Sequence, residues 1–289
     1  MPESSVRSTR PCCTRPATPV TLIARGERLA ELRREGVRLA TPDTRFPSGR
    51  SGVTVAGGEE VDAADIVLVA VGVRAMPAAI AQAAAMNPQV IIPFGHHDGP
   101  LVPDGRAVLA FPGIGGGRRT DGTVDWLPVR QQRTTVDARA PHSRQVRELL
   151  ATTGLPVGVE KYMQDWLDTH SILVSMLAAA VIHADLDAVA AGSDPALMRR
   201  FAVATRAGLS AFRRRGGRVR TTAIDLMYRR FPPAVAARYT GHLLRSPVGS
   251  YTVAPHCRAA RHTEIPLILA RARELCGPDP LVGEFLAVS

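Results

Sequence analysis

The chain has 289 residues and a formal charge of +10, enough length for a large core and two domains. It is 45% hydrophobic but only 4% aromatic, and Lys161 is its one lysine among 36 basic residues. Such an arginine bias has the form of a GC-rich coding sequence, so the charge alone does not argue for an anionic partner. The longest apolar run, 172–182, is too short to span a bilayer. The cysteines, Cys12, Cys13, Cys257 and Cys276, form no C-x-x-C pair and make a poor disulfide or zinc framework. Reduced cytoplasmic thiols are the expectation.

In chain order, residues 1–18 contain no glycine, are rich in arginine and proline, and show no strand pattern. Residues 20–24 are a short, apolar, β-branched run that reads as a buried strand. It stops at Arg25-Gly26, and a helix follows with Gly36 as its stop signal. In a dinucleotide-binding sheet the end of the second strand faces the adenosine ribose, where an arginine suits the 2′-phosphate of NADP. Arg25 is therefore a candidate phosphate contact. An ordinary surface arginine at a strand end fits these residues equally well.

A complete unit would need a first strand and a G-x-G-x-x-G turn upstream. Residues 1–18 do not supply them, and their composition fits an out-of-frame or mis-started reading of that loop.

Short strands are expected at 37–39 and 52–55, and 65–71 is the clearest buried strand of the chain, ended by Gly72. Its near-continuous apolar run suits a parallel sheet covered on both faces. A helix over 76–85 starts at Pro77, and buried strands follow at 90–94 and 107–111. Ligands bind beyond the carboxyl ends of such strands. That singles out Arg25, the turn from Gly72 to Arg74, and the loop at 95–98 with His96. His96-His97-Asp98 lacks an evident third metal ligand, so a loop beside a ligand is the preferred reading and no metal is expected.

The glycines at 113–117 follow a strand, but Asp121-Gly122 signals a hairpin rather than a helix start. A structural glycine loop is the expectation there. The cluster Arg213-Arg214-Arg215-Gly216-Gly217-Arg218-Val219-Arg220 has no interleaved aromatics, which disfavours a nucleic-acid surface.

From about residue 143 the pattern turns helical, with 156–160 a short strand or linker. The segment 163–184 is apolar on most sides and should be a central buried helix. Helices follow at 195–213, 222–230, 233–244 and 262–276. A cleft between the two halves is the natural site.

This order resembles the ketopantoate reductase (2-dehydropantoate 2-reductase) family over about residues 19–276. The resemblance rests on Val20-Thr21-Leu22-Ile23-Ala24-Arg25-Gly26, Ala64-Asp65-Ile66-Val67-Leu68-Val69-Ala70-Val71, Phe111-Pro112-Gly113-Ile114-Gly115-Gly116, Trp166-Leu167-Asp168-Thr169-His170 and His262-Thr263-Glu264-Ile265. It implies an α/β fold: a Rossmann-like parallel sheet at 1–140, missing its first βα unit, and a helical C-terminal domain at 141–289. It implies an NADP cofactor and hydride transfer from NADPH to a small 2-oxo acid. Glu264 matches the substrate-binding glutamate.

Asp168 stands where the family places its proton-donating lysine, two residues after the tryptophan; a carboxylate cannot supply that cation, so as a catalytic residue Asp168 would be a repurposed acid, able to donate a proton only if burial raises its pKa. Ile172 stands at a family asparagine. The role of a second asparagine, expected within 95–98, is passed to His96. Gly72 and Arg74 are expected to flank the cofactor.

The resemblance gives no nucleic-acid or membrane partner, admits a homodimer, and places the protein in the cytoplasm. The competing expectation is a non-catalytic relative: a ligand-binding or dimerising protein, or the inactive product of a damaged gene.

Overall fold

A computed structural model describes residues 18–97, 105–220 and 222–288. The expectations for residues 1–17, Cys12 and Cys13 among them, and for Asp98 fall outside these residues.

The first described elements are β1 (Thr21–Ile23) and α1 (Gly26–Glu35), which stops where Gly36 takes φ +71. Next come β2 (Val37–Ala40), β3 (Gly49–Ser51) and β4 (Thr54–Ala56). β5 (Ile66–Val69) leads through a 3-10 turn, Val73–Ala75, into α2 (Met76–Ala85). The fully buried β6 (Val90–Pro93) follows, then β7 (Ala110–Phe111). β8 (Ile114–Arg118) and β9 (Val124–Pro128) form a hairpin around Gly122 at φ +82. β10 (Thr134–Asp137), α3 (Ser143–Ala151) and β11 (Val157–Glu160) complete the sheet-bearing part.

β1 pairs in parallel with β4, and β5 with β6. β6 extends through isolated parallel bridges, Ile91 to Ala107 and Phe94 to Ala110, towards β7. β7 pairs antiparallel with β10, and β10 parallel with β11. The segment at 156–160 is thus a strand of the sheet, and α3 packs on it through Val146 and Leu150. β2 lies in a separate four-stranded sheet, in the order β3-β2-β9-β8.

In the doubly wound strand order the first strand stands between the second and the fourth. Here those neighbours are β1 and β5. Among the described residues no strand pairs with the other edge of either. Leu68 on β5 (42%), and Val20 (61%) and Val71 (41%) just outside β1 and β5, are correspondingly exposed in segments whose apolar sequence is that of a buried layer.

The glycine run at 113–117 forms β8 instead of the expected loop. A Cβ on Gly116 would strike the Asp125 backbone, and one on Gly115 or Gly117 would meet Thr252 or Pro255. These glycines therefore let a strand lie tight against its partner and against helical segments above it.

The remaining chain is helical. α4 (Met163–His183) runs through the middle, as expected for 163–184. It is followed by α5 (Ala188–Ser193), α6 (Pro195–Arg214), α7 (Thr222–Arg230) and α8 (Pro233–Arg245). Asp187 and Asp194 cap α5 and α6 by accepting two backbone N–H bonds each. A π-helical turn, Gly249–Val253, leads to α9 (Ala254–Ala260), α10 (Ile265–Cys276) and α11 (Pro280–Phe285).

By length and composition α4 could cross a membrane, but 72% of its apolar window is buried inside the protein, as in a core helix. Its residues Ile172, Met176 and Val181 sit in one core with Phe201, Leu209, Leu244 and Ile265 from the surrounding helices. Val73, just beyond β5, joins that core. The contact fixes the end of β5 against the helical part, where a site can form.

Candidate functional site

Glu264 precedes α10, and its carboxylate lies directly over Gly72, the residue that ends the β5 segment. A Cβ at Gly72 would collide with it. The backbone at Gly72 is ordinary (φ −63°, ψ 155°), so what sets glycine apart there is the close approach of the Glu264 side chain and not backbone strain. The structure therefore brings together two residues that the sequence singles out 192 positions apart. Ser175 Oγ donates to Ile268 O at 2.9 Å and pins α4 to α10 one turn further on.

Asp168, Gln164 and Ser171 follow one another at helical spacing on α4 and line a small cavity with Val73, His96 and Arg271. The cavity holds about 20 Å³, room for one water. Asp168 does not stand alone there. Its Oδ1 accepts from Arg271 Nη2 at 3.2 Å and from Gln164 Nε2 at 3.3 Å. Arg271 also meets Glu274 at 2.9 Å. A cation therefore stands beside the position from which the expected lysine is missing, but it comes from α10, two turns beyond Glu264. Lys161 is exposed at the foot of α4, outside this cavity.

His96 is placed by the loop after β6 and sits at the centre of a hydrogen-bonded row. Its Nδ1 is 3.1 Å from Ser171 Oγ and its Nε2 3.1 Å from His170 Nδ1. His170 Nε2 is 2.9 Å from Gln132 Oε1, and Gln132 Nε2 donates to Pro112 O at 2.8 Å. His170 stacks on Trp166 one helical turn below, with ring planes 9° apart, and both pack on Phe111. Burial, together with the neighbouring His97 and His256, pushes His96 down to about 4. Burial and His96 hold His170 well below the usual histidine range. Burial also lowers His256, against an opposing pull from Glu264. At neutral pH His96 and His170 are neutral imidazoles.

The other predicted residues are exposed. Arg25 is the residue before α1 and Arg74 lies in the turn before α2; neither forms an ion pair among the described residues. Neither helix has a side-chain cap at its N-terminus, but in α2 the Met76 N–H already meets Gly72 O at 3.1 Å and Pro77 has no N–H to offer. The arginine cluster at 213–220 is largely engaged within the protein. Arg213 pairs with Asp225, Arg214 with Asp279, and Arg220 with Glu160, while Arg218 lies over Tyr162. Among the described residues no three His, Cys, Asp or Glu side chains gather as a metal site.

Sequence reasoning missed Ser171, His170, Gln132, His256 and Arg271 as site residues. Helical spacing could have found two of them, since Arg271 follows Glu264 by seven residues and Ser171 follows Asp168 by three. The His96–His170 contact spans 74 positions and leaves no local signal.

No family model matches the chain, and no curated protein matches it by sequence. Solved structures do match it. A Ralstonia solanacearum protein described as a candidate ketopantoate reductase superposes with TM-score 0.68 at 14% identity, covering 93% of this chain and 88% of its own. A D-mandelate dehydrogenase, solved with NADH and anilino(oxo)acetate, gives 0.66 at 9% identity, covering 92% and 88%. A dimeric ketopantoate reductase from Staphylococcus aureus gives 0.56 at 16% identity, covering 93% and 96%. The fold is therefore the α/β fold of the ketopantoate reductases, with parallel strands followed by a large helical part. At these identities the likeness is one of fold.

Proposed function

We propose that the protein is a nicotinamide-dependent oxidoreductase of ketopantoate reductase type, reducing a 2-oxo acid or similar small carbonyl by hydride transfer from NADPH. The observation that carries this reading is the Glu264 carboxylate lying across Gly72 at the carboxyl end of β5. That edge is where an open α/β sheet holds its ligand. The fold shared with a D-mandelate dehydrogenase that binds NADH supports a nicotinamide cofactor.

In this reading Arg25 holds the 2′-phosphate, Gly72 and Arg74 flank the cofactor, and Glu264 orients the substrate. NADP would supply the hydride. The protein residues would bind, orient and exclude water. His96 is neutral at neutral pH, so its part is to hydrogen-bond, not to carry charge. Asp168 is neutralised by Arg271 and serves as a positioning residue for that cation. We further propose a cytoplasmic homodimer, in line with the dimeric S. aureus enzyme and with the free, buried Cys257 and Cys276.

The edges of β1 and β5 that stay unpaired among the described residues, and Asp168 in place of a lysine, favour a second reading, a non-catalytic relative. The two are separated by offering the purified protein NADPH and a panel of 2-oxo acids, then repeating the assay with Asp168→Lys. Turnover by the native chain supports the enzyme. No turnover by the native chain and none by the variant supports the non-catalytic relative.

A further inference from the structure

The row of hydrogen bonds through His96 has a fixed direction. Pro112 O can only accept, so the amide nitrogen of Gln132 must face it. Gln132 Oε1 then faces His170 Nε2, which must carry a hydrogen. A neutral imidazole has a single N–H, so His170 Nδ1 is a lone pair. His96 Nε2 points at that lone pair and must donate to it. His96 Nδ1 is left as an acceptor, and Ser171 Oγ stands 3.1 Å from it. The Ser171 hydroxyl hydrogen is therefore committed to His96. Towards the cavity, Ser171 offers only lone pairs.

Three groups of known polarity now line one cavity: the Ser171 acceptor, the Arg271 donors, and Asp168, whose Oδ1 is already taken up by Gln164 and Arg271. A ligand that satisfies this set must donate at one point and accept at another. A 2-hydroxy acid does both through its hydroxyl and its carboxylate, whereas a 2-oxo acid only accepts.

We propose that this cavity distinguishes the two oxidation states of its acid: it takes the 2-hydroxy acid, with the hydroxyl donating to Ser171 Oγ and the carboxylate towards Arg271, and disfavours the 2-oxo acid. The proposal rests on the oxidoreductase reading of the site. Gln132, which does not line the cavity, is the positioning residue that sets the direction of the whole row. The cavity as formed admits one water, so binding of an acid requires the partly exposed Asp168–Arg271 pair to part.

Two measurements on the full chain test this. The first is ¹⁵N NMR of the histidine rings at pH 7, which should show His96 and His170 both with hydrogen on Nε2. Hydrogen on Nδ1 of either ring overturns the proposal, whatever the activity of the protein. The second is calorimetric titration with matched pairs, lactate against pyruvate and mandelate against benzoylformate, with and without nicotinamide nucleotide. An unmatched buried acceptor corresponds to about tenfold in affinity, so the hydroxy acid of the bound pair should be held about tenfold more tightly.

Gln132→Leu should bring that ratio towards one with little change for the oxo acid, whereas a merely structural loss would weaken both acids alike. Ser171→Ala should weaken the hydroxy acid selectively, and it stands in if the Gln132 variant fails to fold. Equal or reversed affinities in the native chain overturn this inference alone. Binding of neither acid overturns the oxidoreductase reading together with it.

Discussion

The contact between Gly72 and Glu264 can be broken by a single methyl group. The backbone at Gly72 suits alanine, so Gly72→Ala carries no backbone strain and should gain about 0.4–1 kcal/mol from a less flexible unfolded chain. The added Cβ meets the far end of the Glu264 side chain, which has to leave its present position. Such a displaced rotamer costs about 0.5–1.5 kcal/mol. The two effects nearly cancel, and folding stability should change by less than about 1 kcal/mol.

Function should respond very differently. If Glu264 orients the substrate, moving its carboxylate by an ångström or more should lower kcat/KM about 100-fold. Urea denaturation reads the stability, and NADPH oxidation with an active 2-oxo acid reads the function. Because both changes act through one carboxylate, Gly72→Ala should add little to Glu264→Ala in the double variant. Unchanged activity in Gly72→Ala would refute the role given to Glu264. A stability loss above about 3 kcal/mol would refute the packing argument.

Stability should also depend on pH through His96. Its folded pKa of about 4 lies below the unfolded value of 6.5, so between these two values the unfolded chain binds the extra proton. The contribution is complete above pH 6.5 and is lost as pH falls towards 4, by about 3 kcal/mol for this one ring. His170 acts in the same direction. Chemical denaturation from pH 7.5 to 4.5 checks this, and His96→Gln should flatten the profile; a native chain equally stable across the range would contradict it. Phe201 is 1% exposed and packs between Tyr228 and Phe285, so Phe201→Ala should cost about 3–5 kcal/mol in urea denaturation.

How far the sequence speaks depends on the range over which each signal is written. α4 was legible because apolar residues on most sides over some twenty positions leave a buried helix as the only economical arrangement. β5 and β6 were legible as near-continuous apolar runs rich in valine and isoleucine. The 113–117 run was misread because glycine signals backbone freedom in a loop and close approach in a strand with the same letter. Only the neighbours, Asp125, Thr252 and Pro255, tell the two apart.

Glu264 and Asp168 could be singled out by resemblance, yet their partners could not. Gly72 meets Glu264 across the two parts of the chain, and Asp168 meets Arg271 across two helices. The row from Ser171 to Gln132 combines a strand-end loop, a helix and the loop after β9. Its members are ordinary polar residues until the fold sets them about 3 Å apart.

The central question is whether a sheet whose β1 and β5 each keep an edge unpaired among the described residues still holds a nicotinamide nucleotide. The direct measurement is a titration of the purified chain with NADPH and with NADH, followed by nucleotide fluorescence, alongside Arg25→Ala. The account predicts saturable binding of NADPH, weaker binding of NADH, and loss of the difference in Arg25→Ala. Absence of binding to both nucleotides would contradict it and leave the non-catalytic relative as the reading of this fold.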